Sequence, residues 1–357
     1  MNRLESHPLA IWAVTPDGVS LALKVREAFA GILHVPDRLM PCPAPCFSFS
    51  RLADSVRDRF PLFDAHIFIM STGIVVRVIA PCIVSKTTDP AVVVMDEKGR
   101  HVISLLSGHI GGANRLAASI AEKLQAAAVI TTATDIHQVP AIDVIATDHG
   151  LFIENPQAIK TISMAFLDHE PVCLYDPLHR LDRVSSLFEK TVPEDLFNRS
   201  SEQRPDDPPV VIVDDRRLDF PKKSLILRPQ SLIAGIGCNR NTDAAEIRNF
   251  LIEQMEQCAL SMNSLSAIAT IDIKSDETGL LEAARQLDLP IQFFTREELA
   301  GIVIPTPSEI VNHHIGVPSV CEAAAILASN KGELIVPKRI SPNVTLAIAR
   351  IDFTSSV

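Results

Sequence analysis

Runs of β-branched residues alternate with short polar turns from residue 67 to residue 135, and this alternation constrains the fold more than any other feature. IFIM at 67–70 is a continuous apolar run, typical of strands that are buried on both faces of a parallel sheet. VVVM at 92–95, followed by DEKGR and HVISLL, predicts a hairpin in which Gly99 has a positive φ. The pattern predicts an α/β sheet whose polar side chains lie where strands end, as in a ligand cleft.

The segment SGHIGGAN, residues 107–114, leads from that hairpin into an amphipathic run that predicts a helix over 114–124. Its glycines allow the backbone to approach a ligand closely, and the amides at the start of a helix attract an anion. The segment matches neither the P-loop nor the GxGxxG pattern, which disfavours a nucleotide phosphate. A strand is predicted next, over 128–132.

The charges around this segment differ in sign from those of the whole chain. Residues 70–115 contain five Lys or Arg and three Asp or Glu, a net charge of +2, whereas the 357-residue chain has a net charge of −10. The predicted cleft is therefore basic on an acidic protein. The overall acidity argues against a nucleic acid partner, because binding to phosphates requires a basic face.

The length of the chain predicts two or three domains. We expect an N-terminal α/β domain at 1–150, a middle segment or small domain at 151–228, and a C-terminal α/β domain at 229–357. The predicted fold is α/β, with two three-layer α/β domains of mostly parallel sheets joined by a smaller middle α/β segment.

Local patterns fill in part of this scheme. We expect STG at 71–73 to form a tight turn, residues 31–50 to be irregular because they are rich in proline, and residues 52–59 to form a helix. In the middle segment, PVCLY and PVVIV are candidate strands. In the C-terminal domain, strands alternate with helices, which implies parallel pairing, and Asp243 with Glu246 fits a capping box.

The cysteines and the hydropathy pattern indicate a cytoplasmic protein. Seven cysteines without regular spacing favour free thiols over disulfides, and the pair in PCPAPC lacks further metal ligands nearby. Cys238 follows a glycine turn before a helix, where a lowered thiol pKa is expected, but no partner for a covalent mechanism is evident. No run is long and apolar enough to suggest a membrane span or a signal peptide.

Six segments carry a resemblance to a known family. MSTGIVVR, KTTDPAVVVMDEKGRHVISLLSGHIGGANRLA and ITTATD, with AGIGCNRNT, ATIDIKSDETGL and GVPSVCEAAAILAS later in the chain, resemble the cobalt-precorrin-5A hydrolase family of anaerobic cobalamin biosynthesis. The resemblance covers both ends of the chain but not its middle. It implies opening of the ring-A acetate δ-lactone of a cobalt-bound tetrapyrrole and release of acetaldehyde, which gives cobalt-precorrin-5B.

The demands of that reaction suggest roles for the residues of these motifs. Water attack needs a base and an oxyanion donor, and the substrate carboxylates need cations. His109 is the expected base because its ordinary pKa lies near neutrality; the amides of Gly111 and Gly112, or Lys86, are the expected oxyanion donors. The expected catalytic residues are His109, Lys86, Asp89 and Glu322. The expected substrate-binding residues are Thr72, Gly73, Arg77, Ser107, Gly108, Gly111, Gly112, Asn114, Arg115, Thr132, Asp135, Gly237, Lys274, Glu277 and Lys338.

Plainer explanations compete with these roles. His109 can be a loop histidine that bonds a backbone carbonyl, or an axial ligand of the substrate's cobalt. Arg77 can pair with Asp89 to hold a turn. Asp276 and Glu277 at a helix start can be simple caps and dipole partners.

The resemblance also implies which partners the chain has. No cofactor and no metal site of the protein are expected, because the cobalt arrives inside the substrate. The expected partner is the anionic cobalt-tetrapyrrole, without nucleic acid or membrane; a homodimer and transient contact with neighbouring enzymes of the pathway are left open. Two other functions compete with the hydrolase: a non-catalytic tetrapyrrole carrier, and a nucleotide- or phosphosugar-dependent α/β enzyme.

Overall fold

A computed structural model describes residues 9–85, 88–137, 139–191, 207–219, 223–305 and 319–353. The chain separates into two compact units, residues 1–145 and 146–357. The first unit contains one sheet and the second contains two. Each unit is described by itself.

The first unit is built on a seven-stranded sheet in the order β3-β2-β1-β4-β5-β6-β7. Its strands are β1 (Leu9–Ala13), β2 (Ile32–Pro36), β3 (Phe47–Phe49), β4 (Ala65–Ile69), β5 (Ala91–Met95), β6 (His101–Leu106) and β7 (Ala127–Val129). Its helices are α1 (Pro16–Phe29), α2 (Leu52–Arg59), α3 (Thr72–Ile79), α4 (Ala113–Leu124), α5 (Ala133–Ile136) and α6 (Ile142–Asp148), which ends just inside the second unit. All neighbouring strands are parallel except β5 and β6.

Helices cover both faces of this sheet. On one face, Val25 of α1, Ile120 of α4 and Ile67 of β4 belong to one buried core cluster. On the other face, Val56 of α2 and Val75 of α3 belong to a separate core cluster. These buried aliphatic layers make the N-terminal unit a three-layer α/β structure, as predicted.

Two local predictions for this unit are wrong. The proline-rich stretch 31–50 contains the parallel strands β2 and β3, because the prolines lie at the end of β2 or between the two strands. STG does not form a separate turn, since α3 begins at Thr72 directly after β4. The hairpin is confirmed, with Met95 opposite Val102 and a positive φ at Gly99.

The antiparallel β6 changes which edge of the sheet its end reaches. Val92, at the start of β5, lies opposite Leu106, at the end of β6. The loop that follows β6 therefore lies at the edge where β4 and β5 begin. The segment that follows β4 lies at the opposite edge.

The second unit begins with a five-stranded sheet in the order β10-β9-β11-β12-β8, in which only β8 is antiparallel. We call the part of the unit built on this sheet the middle domain. Its elements are β8 (Leu151–Ile153), α7 (Ile159–Leu167), β9 (Cys173–Tyr175), β10 (Lys190–Thr191), β11 (Val210–Val213) and β12 (Ser224–Pro229). Strands β9 and β11 are those predicted from PVCLY and PVVIV.

The C-terminal domain has a second five-stranded sheet, in the order β15-β14-β13-β17-β16. Its elements are β13 (Leu232–Cys238), α8 (Ala244–Gln257), β14 (Leu265–Ile271), α9 (Thr278–Gln286), β15 (Ile291–Phe294), α10 (Arg296–Ala300), α11 (Val320–Ala328), β16 (Leu334–Ile340) and β17 (Val344–Arg350). Strands β13, β14 and β15 are parallel, as predicted, whereas β16 and β17 form an antiparallel hairpin that the sequence did not reveal. Helix α11 packs so closely on β13 that a Cβ at Gly235 would lie 1.9 Å from the carbonyl oxygen of Cys321.

Buried charges connect the middle and C-terminal domains within the second unit. The fully buried carboxylate of Asp215 accepts hydrogen bonds from Arg350 Nε at 2.8 Å, Arg350 Nη2 at 3.0 Å and Ser231 Oγ at 2.8 Å. Two backbone hydrogen bonds, from Arg217 to Ala259 and from Ser261 to Asp215, run alongside. Three hydrogen-bond donors, two of them from a charged arginine, hold this buried carboxylate in one position between the two domains.

Candidate functional site

The loop from Ser107 to Gly112 folds back on the start of α4. The amide of Ala113 donates to the Ser107 carbonyl at 3.1 Å, and the amide of Asn114 donates to the Gly108 carbonyl at 3.0 Å. Gly112 has a φ of 85°, which favours glycine. A Cβ at Gly111 would lie 2.4 Å from Ser107 Cβ, so glycine is needed there for space.

His109, at the tip of this loop, lies between two carboxylates. Its Nε2 is 3.2 Å from Asp135 Oδ2 and 3.0 Å from Thr134 Oγ1, while its Nδ1 is 3.3 Å from Asp143 Oδ2. The His109 side chain is 23% exposed, so it is accessible to a ligand. The explanation as a loop histidine that bonds a backbone carbonyl is not supported, since these partners are side chains.

The carboxylates change the proton affinity of His109. The hydrogen bond with Asp143 is the largest influence and raises the pKa of His109; partial burial opposes it, and Asp135 adds to it. The pKa therefore lies above the ordinary value assumed from the sequence. An imidazolium flanked by two carboxylates is stabilised, and its neutral form is a stronger base than a free imidazole.

Asp135 connects His109 to the start of α4 and to α5. Its Oδ2 accepts from Asn114 Nδ2 at 2.9 Å and from Thr132 Oγ1 at 2.5 Å, in addition to its contact with His109. Asn114 Nδ2 also donates to Thr132 Oγ1 at 2.8 Å. We call His109, Asn114, Thr132, Asp135 and Asp143 the His109 network. Three of these residues, Asn114, Thr132 and Asp135, were predicted from the sequence together with His109.

Asp89 lies near the same loop but has a different partner set. A Cβ at Gly111 would lie 3.4 Å from the Asp89 carbonyl oxygen. The buried Asp89 carboxylate accepts from the amides of Val84 and Ser85 at 3.0–3.1 Å, so it holds its own loop. Lys86, the second catalytic candidate of that loop, lies outside the described residues.

Three other predicted residues do not join the His109 network. Thr72 and Gly73 follow β4 and therefore lie at the opposite edge of the sheet, about 16 Å away for strands of five residues. Arg77 Nη1 donates to the Gly73 carbonyl at 3.0 Å, and among the described residues it has no ion pair with Asp89. The predicted cleft is thus divided between two edges of the sheet.

The loop amides offer less to an oxyanion than expected. The amide of Gly112 donates to the His109 carbonyl at 2.9 Å, so this amide is already used. Arg115 is exposed, and its Nη2 would lie 3.9 Å from a Cβ at Gly112, which places a cation beside the loop. The Ser107 hydroxyl is buried and has no hydrogen-bond partner within the described part of the chain.

The remaining predicted residues belong to the C-terminal domain. Glu322 on α11 is fully buried and accepts the backbone amide of Lys338 at 3.0 Å, which fits a structural role better than proton transfer to a ligand. Gly237 is close to β17, since a Cβ there would lie 2.6 Å from Thr345 Oγ1. Lys274 and Glu277 follow β14, with Lys274 Nζ 3.6 Å from Glu277 Oε2.

Glu277 occupies the N-cap of α9 without a side-chain capping bond, and its Oε2 lies 3.6 Å from both Lys274 Nζ and Arg240 Nη1. Its Oε1 accepts the amide of Asn241 at 2.8 Å, whereas its buried Oε2 has no hydrogen-bond partner among the described residues. Asp276 forms an exposed ion pair with Arg240. These residues lie at the carboxyl ends of β13 and β14, where ligand sites form in open α/β sheets.

Two sequence interpretations of this domain are wrong. Burial raises the pKa of the Cys238 thiol, so the expected activated thiolate is absent there. Asp243 occupies the N-cap of α8 but its side chain makes no capping bond, and Glu246 instead accepts from Asn343 Nδ2 at 3.2 Å.

Sequence reasoning missed Asp143 and Thr134, which contact His109. Asp143 lies within an apolar run and resembles an ordinary acidic residue of a first helical turn, so no local signal marks it. In the described part of the chain, no group of three His, Cys, Asp or Glu side chains is arranged to hold a metal ion. None of the helices there is long and apolar enough to cross a membrane.

Comparison with known proteins finds matches along most of the chain. Three family models match in order: Cobalamin synthesis G N-terminal at 54–135, Cobalamin biosynthesis central region at 140–229, and Cobalamin synthesis G C-terminus at 232–349. The cobalt-precorrin-5A hydrolase of Priestia megaterium is 33% identical over 96% of this chain and 95% of its own length. The cobalt-precorrin-5A hydrolase of Salmonella typhimurium is 34% identical over 98% and 99%.

The chain belongs to the cobalt-precorrin-5A hydrolase family. The central and C-terminal models match the two sheets of the second unit, and the N-terminal model matches β4 to β7 of the first sheet. A third relative, protein CobE of a Sinorhizobium species, is 31% identical and matches only 33% of this chain but 79% of its own length. About a third of this chain is therefore similar to most of a shorter, separate protein.

Proposed function

We propose that this chain hydrolyses cobalt-precorrin-5A: it opens the ring-A acetate δ-lactone and releases the two-carbon fragment as acetaldehyde. Membership of a family of hydrolases supports the reaction class. The observation that carries the assignment to a site is the position of His109 between the carboxylates of Asp135 and Asp143.

The first step is attack of water on the lactone carbonyl. The attacking water displaces Thr134 Oγ1 and Asp135 Oδ2 from His109 Nε2. His109 Nε2 then takes a proton from this water, and Asp143 on Nδ1 stabilises the imidazolium that forms, as a carboxylate does for a catalytic histidine. The imidazolium then returns the proton to the lactone ring oxygen as the carbon–oxygen bond breaks. The products of this step are a carboxylate arm and a free hydroxyl group.

The second step removes the two-carbon fragment. The new hydroxyl loses its proton to His109, the adjacent carbon–carbon bond breaks, and acetaldehyde leaves while the macrocycle keeps the electron pair. A histidine whose pKa is raised above its ordinary value suits both steps, because it accepts protons more readily than a free imidazole.

Binding of the substrate carboxylates is assigned to exposed cations near the loop. Arg115 is exposed beside Gly112, and its planar fork matches a carboxylate. We propose that the cobalt belongs to the substrate and that the reaction needs no added cofactor.

Incubation of the purified chain with cobalt-precorrin-5A tests the proposal, with acetaldehyde assayed and the macrocycle followed by mass spectrometry. We expect His109→Ala to lower kcat by about 10²-fold or more, the usual contribution of a general acid or base, with binding retained. His101→Ala is the matched control, because His101 starts β6, is exposed and also lies beside a carboxylate, Asp96 at 3.5 Å.

The outcomes separate the competing functions. Binding without acetaldehyde in the wild-type chain would favour a tetrapyrrole carrier. Full activity of His109→Ala would remove His109 from the mechanism, and absence of binding would exclude the substrate.

A further inference from the structure

The strand order of the middle domain predicts a crevice of the kind that binds ligands. From β9 the chain continues to β10 on one side, and from β11 it continues to β12 on the other side. The carboxyl ends of β9 and β11 therefore form a topological switch point, where open α/β sheets bind their ligands. Asp176 directly follows β9, and Asp214 directly follows β11.

Asp176 is buried at this switch point and is only partly satisfied. It is 8% exposed, and its Oδ2 accepts the amide of Leu181 at 2.7 Å. Its Oδ1 is buried and has no hydrogen-bond partner within the described residues. A buried carboxyl oxygen without a partner is costly and calls for a ligand atom or a proton.

Arg180, four residues later, differs from three arginines of this unit that are paired with carboxylates. Arg216, Arg228 and Arg350 each have a carboxylate oxygen at 2.7–2.8 Å, on Asp214, Glu154 and Asp215 respectively. Arg180 Nε is buried and has no hydrogen-bond partner in the described ranges, and no ion pair joins Arg180 to a carboxylate there.

The position of Arg180 is nevertheless fixed. Its guanidinium carbon lies 3.5 Å from the centre of the Phe353 ring, which covers one face of the guanidinium plane. Stacking leaves the edge of the plane, with its fork of N–H donors, to bind an acceptor. Partial burial strengthens an interaction with an anion, because water competes less.

We propose that this crevice binds a carboxylate group, which accepts a hydrogen bond from Arg180 Nε and meets Asp176 Oδ1. Burial raises the pKa of Asp176, so its carboxyl group can carry a proton and donate it to the ligand. The bound carboxylate belongs either to an arm of the tetrapyrrole substrate or to a small free carboxylate. The first source rests on the proposed function, and the second does not.

Titration of the full chain with propionate, which resembles one arm, tests the site directly. With ¹⁵N-labelled arginine, we expect the Arg180 Nε–H resonance, assigned by its loss in Arg180→Gln, to shift in a saturable way. The exposed Arg183, three residues away, should not shift. Phe353→Leu keeps the guanidinium but removes its stacking surface, so it should weaken propionate binding even where Arg180→Gln folds poorly.

Steady-state kinetics distinguishes the two sources. If the ligand is a substrate arm, Arg180→Gln should raise KM for cobalt-precorrin-5A about tenfold, as expected for loss of a charged hydrogen bond, with kcat unchanged and Arg183→Gln without effect. A propionate shift with an unchanged KM would assign the site to a free carboxylate. Absence of a propionate shift together with an unchanged KM would overturn the proposal. If the chain shows no turnover, the propionate titration alone decides whether the site exists.

Discussion

The N-terminal unit holds histidines in two contrasting environments. His109 lies between two carboxylates at a sheet edge, whereas His34 and His66 lie in an aromatic layer under α2 and α3. His66 is satisfied in its neutral form, since its Nδ1 accepts from Trp12 Nε1 at 3.1 Å and its Nε2 lies 3.2 Å from the Phe60 carbonyl oxygen. His34 stacks on Trp12, with ring centres 4.2 Å apart, and its Nε2 has no partner among the described residues.

The same side chain therefore has opposite charge preferences within one unit. Burial lowers the pKa of His34 and of His66 to about 4, whereas the carboxylates raise the pKa of His109. Charged neighbours favour the imidazolium, and apolar surroundings exclude it. The contrast separates the histidine that is suited to proton transfer from those that support the core.

The largest expected effect is loss of stability in acid. Between about pH 6.5 and pH 4 the unfolded chain protonates His34 and His66 but the folded chain does not. As the pH falls through this range, the free energy of unfolding should thus decrease by about 1.4 kcal/mol per pH unit for each of the two histidines. His109 acts in the opposite sense, because its contribution is complete below pH 6.5 and is lost as the pH rises through its raised pKa.

Urea denaturation of the wild-type chain at pH 7, 6 and 5 measures this slope. A double variant, His34→Phe with His66→Phe, should lose most of the slope below pH 6.5. An equally steep slope in the double variant would show that other groups cause the acid sensitivity.

A smaller effect should follow from Asp143→Asn. Because the hydrogen bond with Asp143 is the largest cause of the raised pKa, the pKa of His109 should fall in this variant. We expect kcat/KM to fall about tenfold, near the worth of one charged hydrogen bond. An NMR titration of the histidine ring protons measures the pKa, and Asp54→Asn on α2, an exposed carboxylate paired with arginines, is the control. An unchanged His109 pKa would contradict the assigned role of Asp143.

The smallest effect should distinguish the two core histidines at neutral pH. His34→Phe removes a buried nitrogen without a partner and should raise the free energy of unfolding by about 1 kcal/mol. His66→Phe leaves Trp12 Nε1 and the Phe60 carbonyl without a partner and should lower it by a similar amount. Changes of the same sign in both variants would mean that ring packing, not hydrogen bonding, decides the outcome.

The sequence predicted the elements with strong local signals. Gly99 between two apolar runs gave the hairpin, and continuous apolar runs gave β4, β9 and β11. Strand β2 and the edge strand β3 were missed because prolines hide short parallel strands whose pairing depends on other segments of the chain. The β16–β17 hairpin was missed since its position in the sheet depends on β13, about a hundred residues earlier in the chain.

The predicted members of the site all lie in two polar motifs of the sequence. His109 and Asn114 lie in SGHIGGAN, and Thr132 and Asp135 lie in ITTATD; the two motifs were predicted separately, and the contacts between them come from the fold. Asp143 joins the His109 network only through the tertiary structure, because no motif of the sequence marks it. Thr72 and Gly73 were grouped with His109 because they are near in sequence, although the predicted hairpin already returns the chain to the other edge of the sheet.

The contact of Asp215 with Arg350 and Ser231 has a practical consequence for cutting the chain into fragments. A C-terminal fragment that starts at Leu232 would keep Arg350 but lose both Asp215 and Ser231. It would also lose the backbone partners of Ala259 and Ser261. Expression of residues 146–357 keeps all of these groups, so this longer fragment is the better starting point for crystallising or labelling the second unit separately.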